Sequence, residues 1–508
     1  MILMNEVFML VKKLYKDSGG GINKVVMNRS SSLANRGYNA TILTVANFDV
    51  HETNKVLIKA NKMNKKVKHI NLYDYYSKIN TKSNISRKQK KYYNLSSILY
   101  EQGFQVYNNE SKNYTEYFQN GQYIKKKKWH KNGLLHYIDY FHESKKRVKR
   151  EVFNLLGYID KIIYYNLYNR YKSHIQHLTA DGFCFLDIWY KGEDILDKYY
   201  LFNRNSKEVK QFLSPANFHS HWLEEITSNC KHKPYLICDK RMFAPVVRDI
   251  KANVHKIYAI HTNHNHRKNI EFSEINTILN HIRSLEQVVT LTEKQKRDIL
   301  KEYGDYNNIS VIPHSIPEKP KITEKKDKHL VTLVARLSST KQIHQAIDSF
   351  KLVIDEVPNA KLEIFGAGKM RTSLEKQIKD LNLTNHVFLK GFTNDTNRIY
   401  QKSIVSLLTS KSEAFAMVLL ESMINETPVI SYDINYGPSD IITDGLDGFL
   451  IKEDINTLSE KIIYLLKNPN KAVEMGKIGR KNILKKYNDE LVTKMWIDLF
   501  KNLKDNDK

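Results

Sequence analysis

From Tyr114 to Tyr165 the chain reads as short runs of alternating residues separated by turn signals. Tyr114–Gln119 is followed by Asn120-Gly121 and then Gln122–Lys125, and Asn132-Gly133 precedes Leu134–Phe141. Asn-Gly between alternating runs marks a tight hairpin, because both central residues of the favoured two-residue turn take positive φ. The pattern continues through Arg147–Phe153 and Tyr158–Tyr165 and ends near Tyr200. An antiparallel meander is therefore expected over residues 91–204. Any fold assigned to the chain must accommodate it as a single inserted block.

On both sides the periodicity is that of α/β structure. A strand over Glu6–Lys12, a glycine loop ending in Gly20-Gly21, a helix over Ile22–Arg36 and a strand over Ala40–Val45 make a βαβ opening. After the meander, Ser206–Leu213 and Phe218–Ser228 have helical spacing, and Pro234–Asp239 and Lys256–His261 are strands. Gln287–Thr290 is a strand whose following helix starts at Thr292, with Gln295 three positions on as in a capping box. Leu330–Val334, Ala360–Phe365, Val387–Phe392, Ile404–Leu408 and Pro428–Asp433 repeat the buried-strand pattern in a second half. The expected fold class is α/β, with two Rossmann-like domains and an antiparallel β-sheet insertion in the first. The expected boundaries are 1–90 with 205–317, the insertion 91–204, a second domain 318–485, and a last helix, 486–508, that crosses back to the first domain.

Composition narrows the setting. The 508 residues exceed one ordinary core. Lys+Arg outnumber Asp+Glu, 81 to 55, for a net charge of +26, which favours an acidic partner without choosing one. Cys184, Cys230 and Cys238 are an odd number without CxxC spacing, which points to a reducing compartment and against a zinc site or disulfide framework. The apolar start carries Glu6 and lacks a basic leader region, so it reads as a first strand. No apolar run reaches the ~18 residues of a membrane span. A cytoplasmic protein is expected, with at most peripheral contact with the inner face of the membrane.

Four stretches carry chemistry. Leu330–Gln342 is a buried strand followed by Arg336 and Lys341, a fork and a point charge that suit a diphosphate. Ser412–Glu421 holds Glu413 and Glu421 eight positions apart around an apolar run. A helix starting just after Glu413 would bury residues 417, 420 and 424 and leave the N–H groups of 414–417 free for an anion. Lys256–His261 ends a strand in histidine, with His264 and His266 close behind. Ligands of open α/β sheets bind at such strand ends, and no acidic or thiol partner lies at metal spacing. Gly20 and Gly21 let a backbone approach a ligand closely.

In this order, with the Ile309–Pro317 hinge, Gly366 of Gly-x-Gly, the Gly391-Phe392 loop and Asp447–Leu450, these stretches resemble the retaining nucleotide-sugar glycosyltransferases of the GT-B fold, family 4, with their E-x7-E signature. The resemblance implies that Glu413 meets the donor sugar near its reacting face and that Glu421 holds the ribose hydroxyls. Arg336 and Lys341 would neutralise the leaving diphosphate, and His261, with His264 second, would face the sugar. Gly20, Gly21 and Gly366 would lie along the donor, with the nucleobase against Gly391 and Phe392 and the phosphates near the backbone of Phe415, Ala416 and Met417. It implies no cofactor beyond a UDP-sugar and no metal, since no DxD motif follows any of the expected strands. Ala414 and Ala416 stand where many relatives have glycine.

The insertion, Asn28-Arg29 and Asp433–Asp440 resemble two Gram-positive groups. One comprises α-glycosyltransferases that add glucose or N-acetylglucosamine to the polyol-phosphate chains of wall teichoic acid. The other comprises protein O-GlcNAc transferases acting on serine-rich adhesins. The net charge and the Lys125–Lys128 run favour the anionic polymer. The sheet edges also predict a homo-oligomer formed through the insertion. A basic nucleic-acid-binding protein is the alternative of another class, but no RNP1-like pattern, zinc knuckle or helix-turn-helix signature supports it, so nucleic acid is not an expected partner.

Overall fold

The structure, a computed structural model, describes residues 5–16, 20–81, 87–264, 279–318 and 324–506. His266 and the first residues of the glycine loop lie outside them. The chain divides into two compact units, one of Met1–Thr44, Phe48–His69 and Thr227–Lys508, the other of Val45–Asn47 and Ile70–Ile226.

The first unit is built on two parallel sheets. Seven strands run in the spatial order Ile309–Val311, Gln287–Thr290, His255–Ala259, Tyr235–Cys238, Glu6–Val11, Asn39–Thr44 and Lys68–Asn71. Six more run Val387–Gly391, Lys361–Phe365, Asp327–Val334, Ser403–Leu408, Val429–Tyr432 and Gly448–Ile451. In both sheets the first strand in sequence sits inside and the order reverses beside it, which is the doubly wound arrangement. Near-continuous apolar runs such as Val7–Val11 and Ser403–Leu408 are buried on both faces, as parallel strands covered by helices require. The terminal helix Asp489–Asp505 returns to the first sheet, where Trp496, Leu499 and Phe500 join Val7, Met9, Ile42 and Tyr235 in one core. At the start of the second sheet Lys326 is sunk among the carbonyls of Tyr400, Gln401, Ser403 and Asn425 and the Thr427 hydroxyl; burial pulls its ammonium down to about 8.

The second unit carries ten antiparallel strands in sequence order from Gln105–Asn109 to Val209–Phe212. Asn120 and Gly121 take φ of 49° and 74°, the paired positive values the hairpin requires. Two expectations change here. Ser206–Leu213, read as helical from its i, i+3, i+4 spacing, instead turns at Lys207, with φ 59°, and pairs Val209–Phe212 with Tyr199–Phe202 as an edge strand. The unit is also wider than 91–204, running from Ile70 to Ile226.

The lysine run is not an open basic track. Lys127 is fully buried, and it and Lys125 turn to the Glu101 carboxylate, while Lys126 faces Glu116 and sits 3.6 Å from the Tyr114 ring centroid. Lys128 donates to the Lys112 carbonyl. Alternation along a strand sends neighbouring lysines to opposite faces, where each finds a local partner.

Candidate active site

In the second sheet the order reverses between Asp327–Val334 and Ser403–Leu408, so the loops leaving those two strands meet at its C-terminal edge. One loop carries Arg336 and Lys341, the other Ser410 and Glu413. The geometry follows: the Lys341 ammonium is paired with a Glu413 carboxylate oxygen, which also accepts from the Ser410 hydroxyl at 2.7 Å. The Lys341 carbonyl accepts from Thr409, and the Lys411 N–H donates to the Thr340 carbonyl, tying the two loops together. Arg336 is exposed, and its guanidinium has no partner among the described residues. Gly366 stands against this loop with φ 150°, where a Cβ would lie 1.8 Å from the Ala335 carbonyl oxygen; only glycine fits. Its N–H donates to the Gly391 carbonyl, and Phe392 beside it is 61% exposed.

The helix after Glu413 starts later than its spacing implies, at Met417, and ends at Met423. Residues 414–416 form a loop closed by Ala416 in the left-handed region, φ 62° and ψ 66°. The buried face is Leu419, Leu420, Met423 and Ile424, packed with Phe415, Leu408 and Ile441, while Met417 is only half-buried. Glu413 is braced from the other side, its N–H donating to the Asn435 carbonyl and its carbonyl accepting from the Tyr436 N–H. Gly437 follows with φ 106°, where a Cβ would meet the Phe415 carbonyl at 2.3 Å. Asp447, in the last of the stretches that carry the resemblance, is spent on its own turn and on the helix Pro469–Tyr487, accepting from the Thr443 N–H and the Asn482 amide.

The two sheets are bridged at this site. Lys24, one turn past Gly20-Gly21 in the helix Gly20–Asn35, lies 2.9 Å from the Glu421 carboxylate, 397 positions away. The Asn263 amide donates to the Ser412 hydroxyl at 2.9 Å and to the Asn435 carbonyl at 3.0 Å, and the Tyr436 hydroxyl donates to Asp298 at 2.7 Å. Both members of E-x7-E thus hold an ammonium, Glu413 from its own sheet and Glu421 from the other.

His261 is engaged deeper. Its Nε2 is 2.8 Å from the Asp239 carboxylate, and its Nδ1 faces His314 at 3.4 Å. Asp239 also takes the Arg29 guanidinium, which lies over the Trp496 ring at 4.6 Å. Burial alone would raise Asp239, but Arg29 and His261 hold its carboxyl below the usual range; burial, with His261 and Arg29, pushes His314 well down, so it stays neutral. A small cavity lined by Arg29, His261, His314 and Trp496 opens beside them. His264 sits apart, buried and stacked on Tyr436 at 5.7 Å. The capping box is half made: Thr292 accepts from the Gln295 N–H, but the Gln295 amide donates to the Thr262 carbonyl.

The structure therefore gathers Arg336, Lys341, Gly366, Gly391, Phe392, Glu413, Phe415, Ala416, Met417 and Glu421 around one sheet edge, and brings the helix that begins at Gly20 and Gly21 to Glu421 through Lys24. Sequence reasoning missed Lys24, Asp239, Asn263 and Tyr436. The signal available was positional: Asp239 and Asn263 follow strands at the edge where ligands bind. Among the described residues no group of three His, Cys, Asp or Glu side chains could hold a metal ion, and no helix is long and apolar enough to cross a membrane.

Two doubly wound sheets, cross-bridged at the C-terminal edge of one by a paired Lys–Glu and an ammonium from the other, have the architecture of the GT-B fold. Residues 315–482 match the family described as glycosyl transferases group 1, so the second sheet and its helices form a domain of that kind. It is 29% identical to a poly(ribitol-phosphate) alpha-N-acetylglucosaminyltransferase of Staphylococcus aureus (strain COL), over 98% of this chain and 100% of that protein. A poly(glycerol-phosphate) alpha-glucosyltransferase of Bacillus subtilis (strain 168) is 26% identical over 88% of this chain and 68% of its own. Among solved structures, that of an S. aureus TarM mutant with fondaparinux, alpha-GlcNAc-glycerol and UDP superposes with a TM-score of 0.87 at 27% identity, covering 98% of this chain and 100% of that one.

Proposed function

We propose that the protein is a retaining hexosyltransferase that moves glucose or N-acetylglucosamine from a UDP-sugar to a hydroxyl of a polyol-phosphate wall teichoic acid chain. The observation that carries the site assignment is the Lys341–Glu413 pair at the reversal of strand order, with the unpartnered Arg336 on the same loop. The polymer acceptor is supported by the full-length likeness to a poly(ribitol-phosphate) transferase and by the net charge of +26.

In this mechanism Arg336 and Lys341 take the diphosphate, Glu421 the ribose diol, and Glu413 the sugar hydroxyls on the reacting side. Gly366, Gly391 and Phe392 line the nucleoside, and the backbone of Phe415, Ala416 and Met417 lies near the phosphates. Gly20 and Gly21 let the first loop approach them. The anomeric C–O bond to the β-phosphate breaks, and the acceptor oxygen bonds to the same face of that carbon. The hydroxyl proton passes to a β-phosphate oxygen, leaving UDP and the glycoside. Stabilising the charge that grows on the diphosphate supplies most of the rate, and two cationic side chains fill the role a divalent ion would otherwise have. His261 enters in a narrower form than a sugar ligand: with both ring nitrogens engaged, it fixes the strand end from which Asn263 reaches the Glu413 loop. Self-association through the edge strands Gln105–Asn109 and Val209–Phe212, work in the cytoplasm and peripheral contact with the inner membrane face complete the proposal.

Labelled UDP-glucose and UDP-N-acetylglucosamine, offered with purified teichoic acid and separately with a serine-rich peptide, test it. Label on the polymer, lost in Lys341→Ala, is the expected result. Label on the peptide alone would replace this acceptor by a protein.

A further inference from the structure

The pairing of Lys24 with Glu421 sets up a competition. Glu421 is a carboxylate with its side chain only 14% exposed, and one of its oxygens is held at 2.9 Å by an ammonium that is itself 39% exposed. A ribose diol donating two hydrogen bonds needs those same oxygens. The ammonium and the nucleotide therefore cannot both keep full claim on Glu421. Glu413, the other carboxylate of the site, already holds Lys341 and Ser410 and offers no second berth. Lys24 also stands one turn past Gly21, where a built Cβ would meet nothing within 4 Å among the described residues.

We propose that Lys24 is an exchange residue: it holds Glu421 until a ribose takes that carboxylate, and then carries its charge to a phosphate oxygen of the substrates. The proposal rests on the assignment of Glu421 to the ribose. The ligand chemistry is a phosphate oxygen, and two sources supply it, the donor's diphosphate and a phosphodiester of the acceptor. Nucleotide binding thereby creates part of the anion site, and where the phosphate is the acceptor's, an order of donor before polymer follows from one side chain.

Uridine, UDP, and poly(ribitol phosphate) in the presence of UDP are titrated into wild type, Lys24→Met and Glu421→Ala, with thermal unfolding in parallel. Lys24 is half-exposed on a helix surface, so the methionine variant should fold. Lys24→Met is expected to bind uridine about two- to fivefold more tightly, because a half-exposed ion pair no longer competes. If the same variant binds UDP more weakly than wild type, the phosphate is the donor's. If UDP gains alongside uridine while the polymer loses affinity, it is the acceptor's. Uridine affinity equal to or weaker than wild type in Lys24→Met overturns the exchange. Glu421→Ala separates the two failures: unchanged uridine affinity there removes the ribose assignment itself, whereas a loss there without a gain in Lys24→Met removes only the role of Lys24.

Discussion

Two charged clusters lie within the first compact unit and are built to different ends. Arg29, Asp239, His261 and His314 are sealed: the Asp239 side chain is fully buried and Arg29 is 6% exposed. Arg29, Asp239 and His261 each have a partner on either side, with Trp496 and His314 at the two ends. Lys341–Glu413 and Lys24–Glu421 are open: each carboxylate has one ammonium, and Arg336 beside them has no partner among the described residues. Burying a charge pair costs desolvation that only multiple contacts offset, so the sealed cluster serves geometry. A partly exposed carboxylate at a sheet edge, holding one ammonium, can trade that partner for a ligand. Charge density alone does not separate them; exposure does, 6% and 0% for Arg29 and Asp239 against 17% and 14% for Lys341 and Glu413 and 39% and 14% for Lys24 and Glu421.

The largest effect expected is on the sealed cluster. Asp239→Asn leaves Arg29 buried without an anion and should cost about 3–5 kcal/mol of folding stability by denaturant unfolding. Asp239 has a folded value below its unfolded one, so its contribution is complete above the ordinary carboxylate value near ~4 and is lost as pH falls through the folded value. The gap between wild type and variant should therefore close on acidification; a gap independent of pH would break the distinction.

Lys341→Ala should act the other way round. Its kcat is expected to fall about 10²–10³-fold, as when one preorganised donor to a developing charge is removed. Stability should change by about 1 kcal/mol or less, because Glu413 keeps the Ser410 hydroxyl. A comparable loss of stability would place Lys341 with the sealed group.

The loop between the glutamates gives a smaller test. Alanine in the left-handed region costs about 1–2 kcal/mol that glycine does not, so Ala416→Gly should raise stability by about 1 kcal/mol in thermal unfolding. A decrease would mean that the Ala416 methyl group, 6% exposed, contributes more by packing. The smallest effect is predicted for Lys126→Ala with Lys128→Ala in the insertion. Both lysines have local partners, so each should shift stability by less than about 1 kcal/mol and leave the KM for polymer unchanged. A several-fold rise in that KM would restore the run as an acceptor track.

What the sequence made legible was whatever depends on order along the chain. Lys341 and Glu413 could be assigned to one site from the order of their motifs, but not paired with each other; that contact follows from the strand order, which brings their two loops together. The hairpins were legible because Asn120-Gly121 carries its own turn chemistry. Partners chosen by tertiary packing were not. Asp239 read as the charged end of a strand, and its link to Arg29, 210 positions away, leaves no local trace. Val209–Phe212 spaces like a helix and is a strand because a neighbouring edge was there to pair with. The left-handed conformation of Ala416 was hidden because alanine is a poor marker for it. The lysine run misled for the opposite reason: four adjacent charges look like a patch, but a strand points them to two faces.

The most direct measurement is the affinity of UDP for wild type and Lys341→Ala by titration calorimetry, with unfolding temperatures recorded on the same samples. The account predicts that affinity falls at least about tenfold, the loss of one charge-assisted contact to a diphosphate, while the unfolding temperature stays in place. Unchanged affinity, or affinity lost only together with the fold, would contradict the assignment of the open pair to the nucleotide.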